Sequence, residues 1–183
     1  ENPNIGKAVG VQGAPNMAMN RTKIMGTSIA FHPGYLVDAG IPAQIASKCP
    51  TEAEASVIIN HTYDAATREL NVTVSGQVAN TDVTEYLLTV LIKENGLIGK
   101  QADYNEYSFK SAGFKEFVHP RVVRDVLCSD PLGDNVAVEN QAYSKDYTFT
   151  LPEGWVAENC GIVAYITPLA KKPIINAEET PLV

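Results

Sequence analysis

Three histidines, three cysteines and one tryptophan are all that 183 residues supply of the side chains most often used for metal or redox chemistry. His32, His61 and His119 lie far apart, and none has another ligand type at a metal-binding spacing, so zinc has no obvious holder. Cys49, Cys128 and Cys160 are just as dispersed, with no two spaced as a redox pair or a zinc knuckle. Their odd number leaves at least one thiol free unless another chain supplies its partner. Three reduced, buried cysteines fit this pattern, and so does one disulfide with a spare thiol. No basic residue or helix start is placed to make any of them reactive. Positive charge is scarce too: 14 basic against 21 acidic side chains gives a net charge of −7. That balance excludes the concentrated basic surface a nucleic-acid backbone requires, and only Arg121/Arg124 and Lys171-Lys172 cluster at all. No apolar run approaches the roughly 18 residues of a membrane-spanning helix. The opening Glu1-Asn2-Pro3-Asn4 has neither the basic start nor the apolar stretch of a signal peptide, and no initiator Met precedes it. No Gly-x-Ser-x-Gly turn presents a serine nucleophile. Gly6, Gly10 and Gly13 lack the lysine and hydroxyl that a phosphate loop needs.

What the chain does contain is a succession of strand patterns. Val57–Tyr63, Leu70–Val78, Tyr86–Ile92, Tyr147–Leu151 and Ile162–Ile166 alternate apolar with polar or small residues and are separated by turn formers. The first two predict a hairpin around Asp64–Thr67. Tyr86–Ile92 is apolar on both faces and is predicted to be a central strand, as is Ile162–Ile166. Val136 and Val138 predict a short strand, Trp155 a cap on the core, and Ile174-Ile175 an edge, with Glu178–Val183 as a tail. Gly99–Phe117 reads as a long excursion from the sheets. Val118–Leu127 predicts a short helix or helical turn, with Val118, Val122 and Val126 at helical spacing and Pro120 in the first turn. The fold class expected is mainly β, a sandwich of antiparallel sheets over residues 54–183. Residues 1–53 differ in texture: short strands at 9–11 and 16–20, with Met17 and Met19 on one face, then a helix over Tyr35–Lys48 broken near Gly40-Ile41-Pro42.

Several segments together carry a family resemblance. Leu87–Gly99, with Leu-Leu-Thr-Val-Leu-Ile-Lys-Glu-Asn-Gly at its start, Phe117–Leu127, with His119-Pro120-Arg121-Val122-Val123-Arg124 inside it, and Asn159–Ile166 after Trp155 are similar to the outer-membrane protein 28 lipoproteins of Bacteroidetes. The resemblance spans roughly residues 54–177, with a weaker echo at the start. It implies an immunoglobulin-like β-sandwich preceded by the α/β tail of a thioredoxin-like domain, with Ala14-Pro15 at the cis-proline turn. It also implies that the chain is the C-terminal part of a longer lipoprotein. Membrane association would then come through a lipid anchor on the missing N-terminal part, with exposure at the outer membrane and cell surface. The strand, cysteine-bearing turn and helix that open a thioredoxin-like domain are absent, so dithiol exchange is not expected from this piece.

The candidate functional residues are accordingly those of recognition. Tyr104, Tyr107, Phe109, Phe114 and Phe117 put aromatic surface on a long loop over a rigid scaffold, where contact area comes at small ordering cost. His119, Arg121 and Arg124 form a small basic cluster, either a guanidinium fork for an anionic group or arginines paired with Asp125 or Asp130 to pin the segment. His61 shares a face with Val57, Ile59 and Tyr63 and is expected to be a half-buried sheet residue. The expectation is a non-enzymatic surface module without cofactor or metal, adhesin-like or receptor-like, whose partner is a host or cell-surface protein or glycan. The competing readings are a client-positioning domain of a thioredoxin-like oxidoreductase and a structural component of a surface assembly.

Overall fold

Alternation in the sequence becomes pairing in space. The computed structural model describes residues 10–11, 16–23, 28–32, 40–48, 52–103, 113–168 and 173–183. After helix α1 (Gly40–Lys48) the chain runs through β1 (Ile58–Asp64), β2 (Glu69–Gln77), β3 (Glu85–Glu94), β4 (Leu97–Asp103), β5 (Gly113–His119), β6 (Val122–Val126), β7 (Asp134–Ala137), β8 (Ala142–Thr150), β9 (Cys160–Thr167) and β10 (Asn176–Pro181). The β1–β2 hairpin forms as expected, in register from Ile58 opposite Ser75 to Asp64 opposite Glu69. Its turn is organised by Asp64, whose carboxylate accepts from the amides of Ala66 (2.8 Å) and Thr67 (3.4 Å). Those amides hold the Asp64 carboxyl below the usual aspartate range.

Among the described residues three antiparallel sheets result. A small sheet runs β1-β2-β8, a large one β10-β9-β3-β6 with β7 also on β3, and β4-β5 form a separate two-stranded hairpin. Leu70, Val72 and Val74 of β2 join Leu88, Val90 and Ile92 of β3 and Ile162, Ala164 and Ile166 of β9 in one buried cluster. Each Leu, Val or Ile among them stabilises the fold by about 1.5–3 kcal/mol relative to exposure. Trp155 packs against this cluster, and Leu182, 2 % exposed, belongs to it. Tyr86–Ile92 is central, as its two apolar faces predict: β9 flanks it on one side, β7 and β6 on the other.

The hand-over from β7 to β6 leaves a gap in the β3 ladder, and a sulfur fills it. The Val90 amide donates to Cys128 Sγ at 3.1 Å, and that thiol donates to the Leu88 carbonyl at 3.2 Å. Burial pushes the Cys128 thiol up, so it stays protonated and able to donate. Cys128 and Cys160 are both buried and free, so no disulfide joins them; Cys49 lies outside the described residues.

Three expectations are corrected. Val118–Leu127 is not helical: β5 ends at His119, Arg121 turns the chain at φ 55°, and β6 follows. Valines at four-residue spacing mimic a helical face, but β-branched side chains favour strands, and β3 offers a ladder to pair with. Gly99–Phe117 is not one loop, since β4 and β5 pair from Leu97 opposite His119 to Asp103 opposite Gly113. Glu178–Val183 is not a tail. It carries most of β10, which pairs with β9, and the edge strand starts at Asn176 rather than at Ile174-Ile175. A charged strand is at home on a sheet edge, where one side faces water and charge discourages stray pairing.

Nearer the N-terminus, Met17 bridges Phe31 and Met19 bridges Thr22. Phe31 is buried among Met17, Met19 and Ile45 of α1, which accounts for the methionine face. Arg21 lies over the Tyr165 ring of β9 and donates to its hydroxyl at 2.9 Å. Ala14-Pro15 and the residues of the expected helix before Gly40 lie outside the described residues.

Candidate functional site

Charge concentrates where β3 ends. The strand stays buried through Lys93 and Glu94, then turns at Asn95-Gly96, with Gly96 at φ 77°. Glu94 is 1 % exposed and sits on the core face opposite Cys160. One of its oxygens accepts from Arg124 Nη1 at 2.5 Å and the other from the Val156 amide at 3.0 Å. A carboxylate so far from water is tolerable only with such charge-assisted partners. The Arg124 guanidinium also stacks over the Trp155 ring, 4.6 Å from its centroid. Trp155 is fixed in turn by Phe149, at a centroid distance of 5.7 Å, and by Arg68, which donates to the carbonyls of Leu151, Pro152 and Trp155.

On the outward side of the same sheet end, Lys93 pairs with Glu179 of β10, and Arg121 reaches the other Glu179 oxygen at 3.5 Å. Gly161 makes room for this: a Cβ there would stand 2.8 Å from Lys93 Cε and 3.1 Å from the Thr180 carbonyl oxygen. The hydrogen bond from Lys93, with the charges of Lys93 and Arg121, holds the Glu179 carboxyl below the usual glutamate range. Arg121 is the open member of the group, its side chain 71 % exposed, while its amide donates to Asn95 Oδ1 at 2.9 Å. Between Lys93, Arg121, Glu158, Cys160 and Glu179 lies a surface depression of about 490 Å³. Burial pushes the Cys160 thiol up to about 11, so at neutral pH it is a protonated, weakly nucleophilic sulfur. The arrangement can hold a ligand bearing opposite charges, Arg121 meeting an anionic group and Glu158 or Glu179 a cationic one.

Of the recognition residues expected from sequence, Arg121 and Arg124 come to this one sheet end, with divided tasks. Arg124 is spent on Glu94 and Trp155, whereas Arg121 faces solvent. Neither pairs with Asp125 or Asp130, whose carboxylates accept from the amides of Val126 and Leu132. His119 stays in the β4–β5 hairpin, half-buried with its ring edge-on to Phe117 at 4.9 Å. Tyr104, Tyr107 and Phe109 lie outside the described residues. His61 is the half-buried sheet residue expected, its Nε2 3.1 Å from the Leu182 carbonyl oxygen. Among the described residues no three of His, Cys, Asp and Glu are grouped as a metal would require, and no helix is long and apolar enough to cross a membrane. Sequence reasoning missed Lys93, Glu94 and Glu179. The one signal was a charged pair ending a strand that reads as buried on both faces.

A family model described as "Outer membrane protein Omp28" matches residues 3–181. Among solved structures, HBP35 of Porphyromonas gingivalis is similar at a TM-score of 0.71 and 19% identity, covering 97% of this chain and 55% of that one. The chain thus spans about half the length of that relative. A domain of the outer membrane lipoprotein Omp28 from Porphyromonas gingivalis is similar at a TM-score of 0.46 and 19% identity, covering 74% of this chain and 92% of that one. No curated protein matches the chain.

Proposed function

The chain belongs to the outer membrane protein Omp28 family, and from that premise we propose that it is a non-enzymatic recognition module displayed at the cell surface, adhesin-like or receptor-like. Family membership locates it at the outer membrane. A lipid anchor on a preceding segment would hold it there. In the same reading the two sheets form an immunoglobulin-like sandwich and residues 1–53 the tail of a thioredoxin-like domain. The shared core of the β1-β2-β8 and β10-β9-β3-β6 sheets, with α1 ahead of them, supports that assignment.

One observation carries the functional reading: Arg121 stands exposed on the rim of the depression, and the residues around it are fixed by pairing rather than free to relax. Recognition gains from groups ordered before the partner arrives. The partner would be a host or cell-surface protein or glycan carrying an anionic group. The test is a binding screen of the chain against extracellular-matrix proteins and sulfated or sialylated glycans. It is repeated with Arg121→Glu and, separately, with Tyr107 and Phe109 changed to Ala. Binding lost with Arg121→Glu supports the depression, and binding lost only with the aromatic changes moves the site to Tyr107 and Phe109. Binding to nothing in the screen, or binding indifferent to all these changes, overturns the proposal.

A further inference from the structure

Among the described residues the β4–β5 hairpin pairs with no third strand, and two-stranded ribbons are marginal by themselves. Its register places Ile98 opposite Val118 and Lys100 opposite Glu116. Residues two apart on a strand share a face, so these four side chains lie together, an apolar rung beside a charged rung. Ile98 is 70% exposed and Val118 61%. Lys100 and Glu116 are exposed as well and, among the described residues, enter no ion pair. Phe117 and His119 occupy the other face, against Gly99.

We infer that this face is a docking surface for a second copy of the chain, because the face is complementary to itself. A two-fold axis running along the hairpin, midway between its strands, sets Ile98 of one copy over Val118 of the other and Lys100 over Glu116. Every rung is then matched twice, as an isologous contact requires. An axis across the strands at the same point sets Ile98 over Lys100 instead, so the pattern selects one orientation. The patch is small, and the association belongs to the weak, transient class.

Sedimentation equilibrium of the intact chain over a wide concentration range tests this. A reversible monomer–dimer equilibrium is expected. Lys100→Glu alone and Glu116→Lys alone each set like charges face to face and should weaken dimerisation about tenfold or more. The double swap restores it. Mixing the two single variants restores it too, because the charged rung is then wholly acidic in one copy and wholly basic in the other. All four side chains are exposed, so unchanged melting temperatures verify that the variants fold. A chain that stays monomeric at the highest concentration, or a dimer indifferent to the charge swaps, overturns the inference. So does a loss that neither the double swap nor the mixture repairs.

Discussion

The small and the large sheet share a core yet treat their outer faces differently. In β2 burial alternates, with Leu70, Val72 and Val74 inside and Glu69, Asn71 and Gln77 in water. In β3 it does not: every residue from Leu88 to Glu94 is buried, including Thr89, Leu91 and Lys93, which face away from the shared core. The outer face of the large sheet is roofed in part by the 128–133 segment, where the Thr89 hydroxyl donates to the Leu132 carbonyl. Gly133, at φ 113°, comes so near that a Cβ there would stand 2.7 Å from Thr89 Oγ1. Arg21 covers Tyr165 on the same side. A sheet buried on one face tolerates polar exchange on the other, and a sheet buried on both has no such side. Charge inside it must come with a partner already in place.

This contrast can be broken most severely at Glu94. Glu94→Ala leaves the Arg124 guanidinium and the Val156 amide without their acceptor and should cost about 3–5 kcal/mol in urea unfolding. Removing Asp146, which accepts from the Thr73 hydroxyl on the exposed face of the small sheet, should cost less than about 1 kcal/mol. Equal losses would erase the distinction between the sheets. Next in size, Leu91→Asp places an unpaired charge on the buried outer face of β3 and should cost about 3 kcal/mol, against about 0.5 kcal/mol or less for Thr62→Lys on the outer face of β1.

Cys128→Ala should cost about 1–3 kcal/mol, because it orphans the Val90 amide inside the large sheet. Cys128→Ser, which retains a donor and an acceptor, should recover part of that loss. Smallest is the acid limb. Partial burial works against ionisation of Asp134, but the Ser129 hydroxyl and amide, aided by Lys145, outweigh it and hold the carboxyl below its ordinary value of 3.8. A depressed carboxyl stabilises the fold fully above that ordinary value and loses the contribution as pH falls through the lowered one. Melting temperatures followed from pH 6 down to about pH 2 should therefore fall less steeply for Asp134→Asn than for the parent. Identical slopes would remove Asp134 from the account.

Legibility in the sequence followed the same divide. The β1–β2 hairpin and the central place of β3 could be read directly, since alternation records one buried face and unbroken apolarity records two. β10 could not, because an edge strand rich in Glu178 and Glu179 carries no apolar stripe; only Leu182 just beyond it signals the core. β6 was masked by valines whose spacing suits either geometry, and the choice was made by β3, a partner some thirty residues earlier. The site was half legible for a related reason. Arg121 and Arg124 announce themselves as a basic pair, but their partners Glu179 and Glu94 are set by strand register, which local sequence does not encode.

The sulfur bridging Val90 and Leu88 makes the large sheet its own stopwatch. A thiol reagent can reach Cys128 only in molecules whose β3 has parted from its neighbours, and Cys160, buried at the start of β9 opposite the end of β3, reports a second opening. With Cys49 replaced, the two labelling rates would time how the middle and the end of the sheet come apart, without any dye or tag being added.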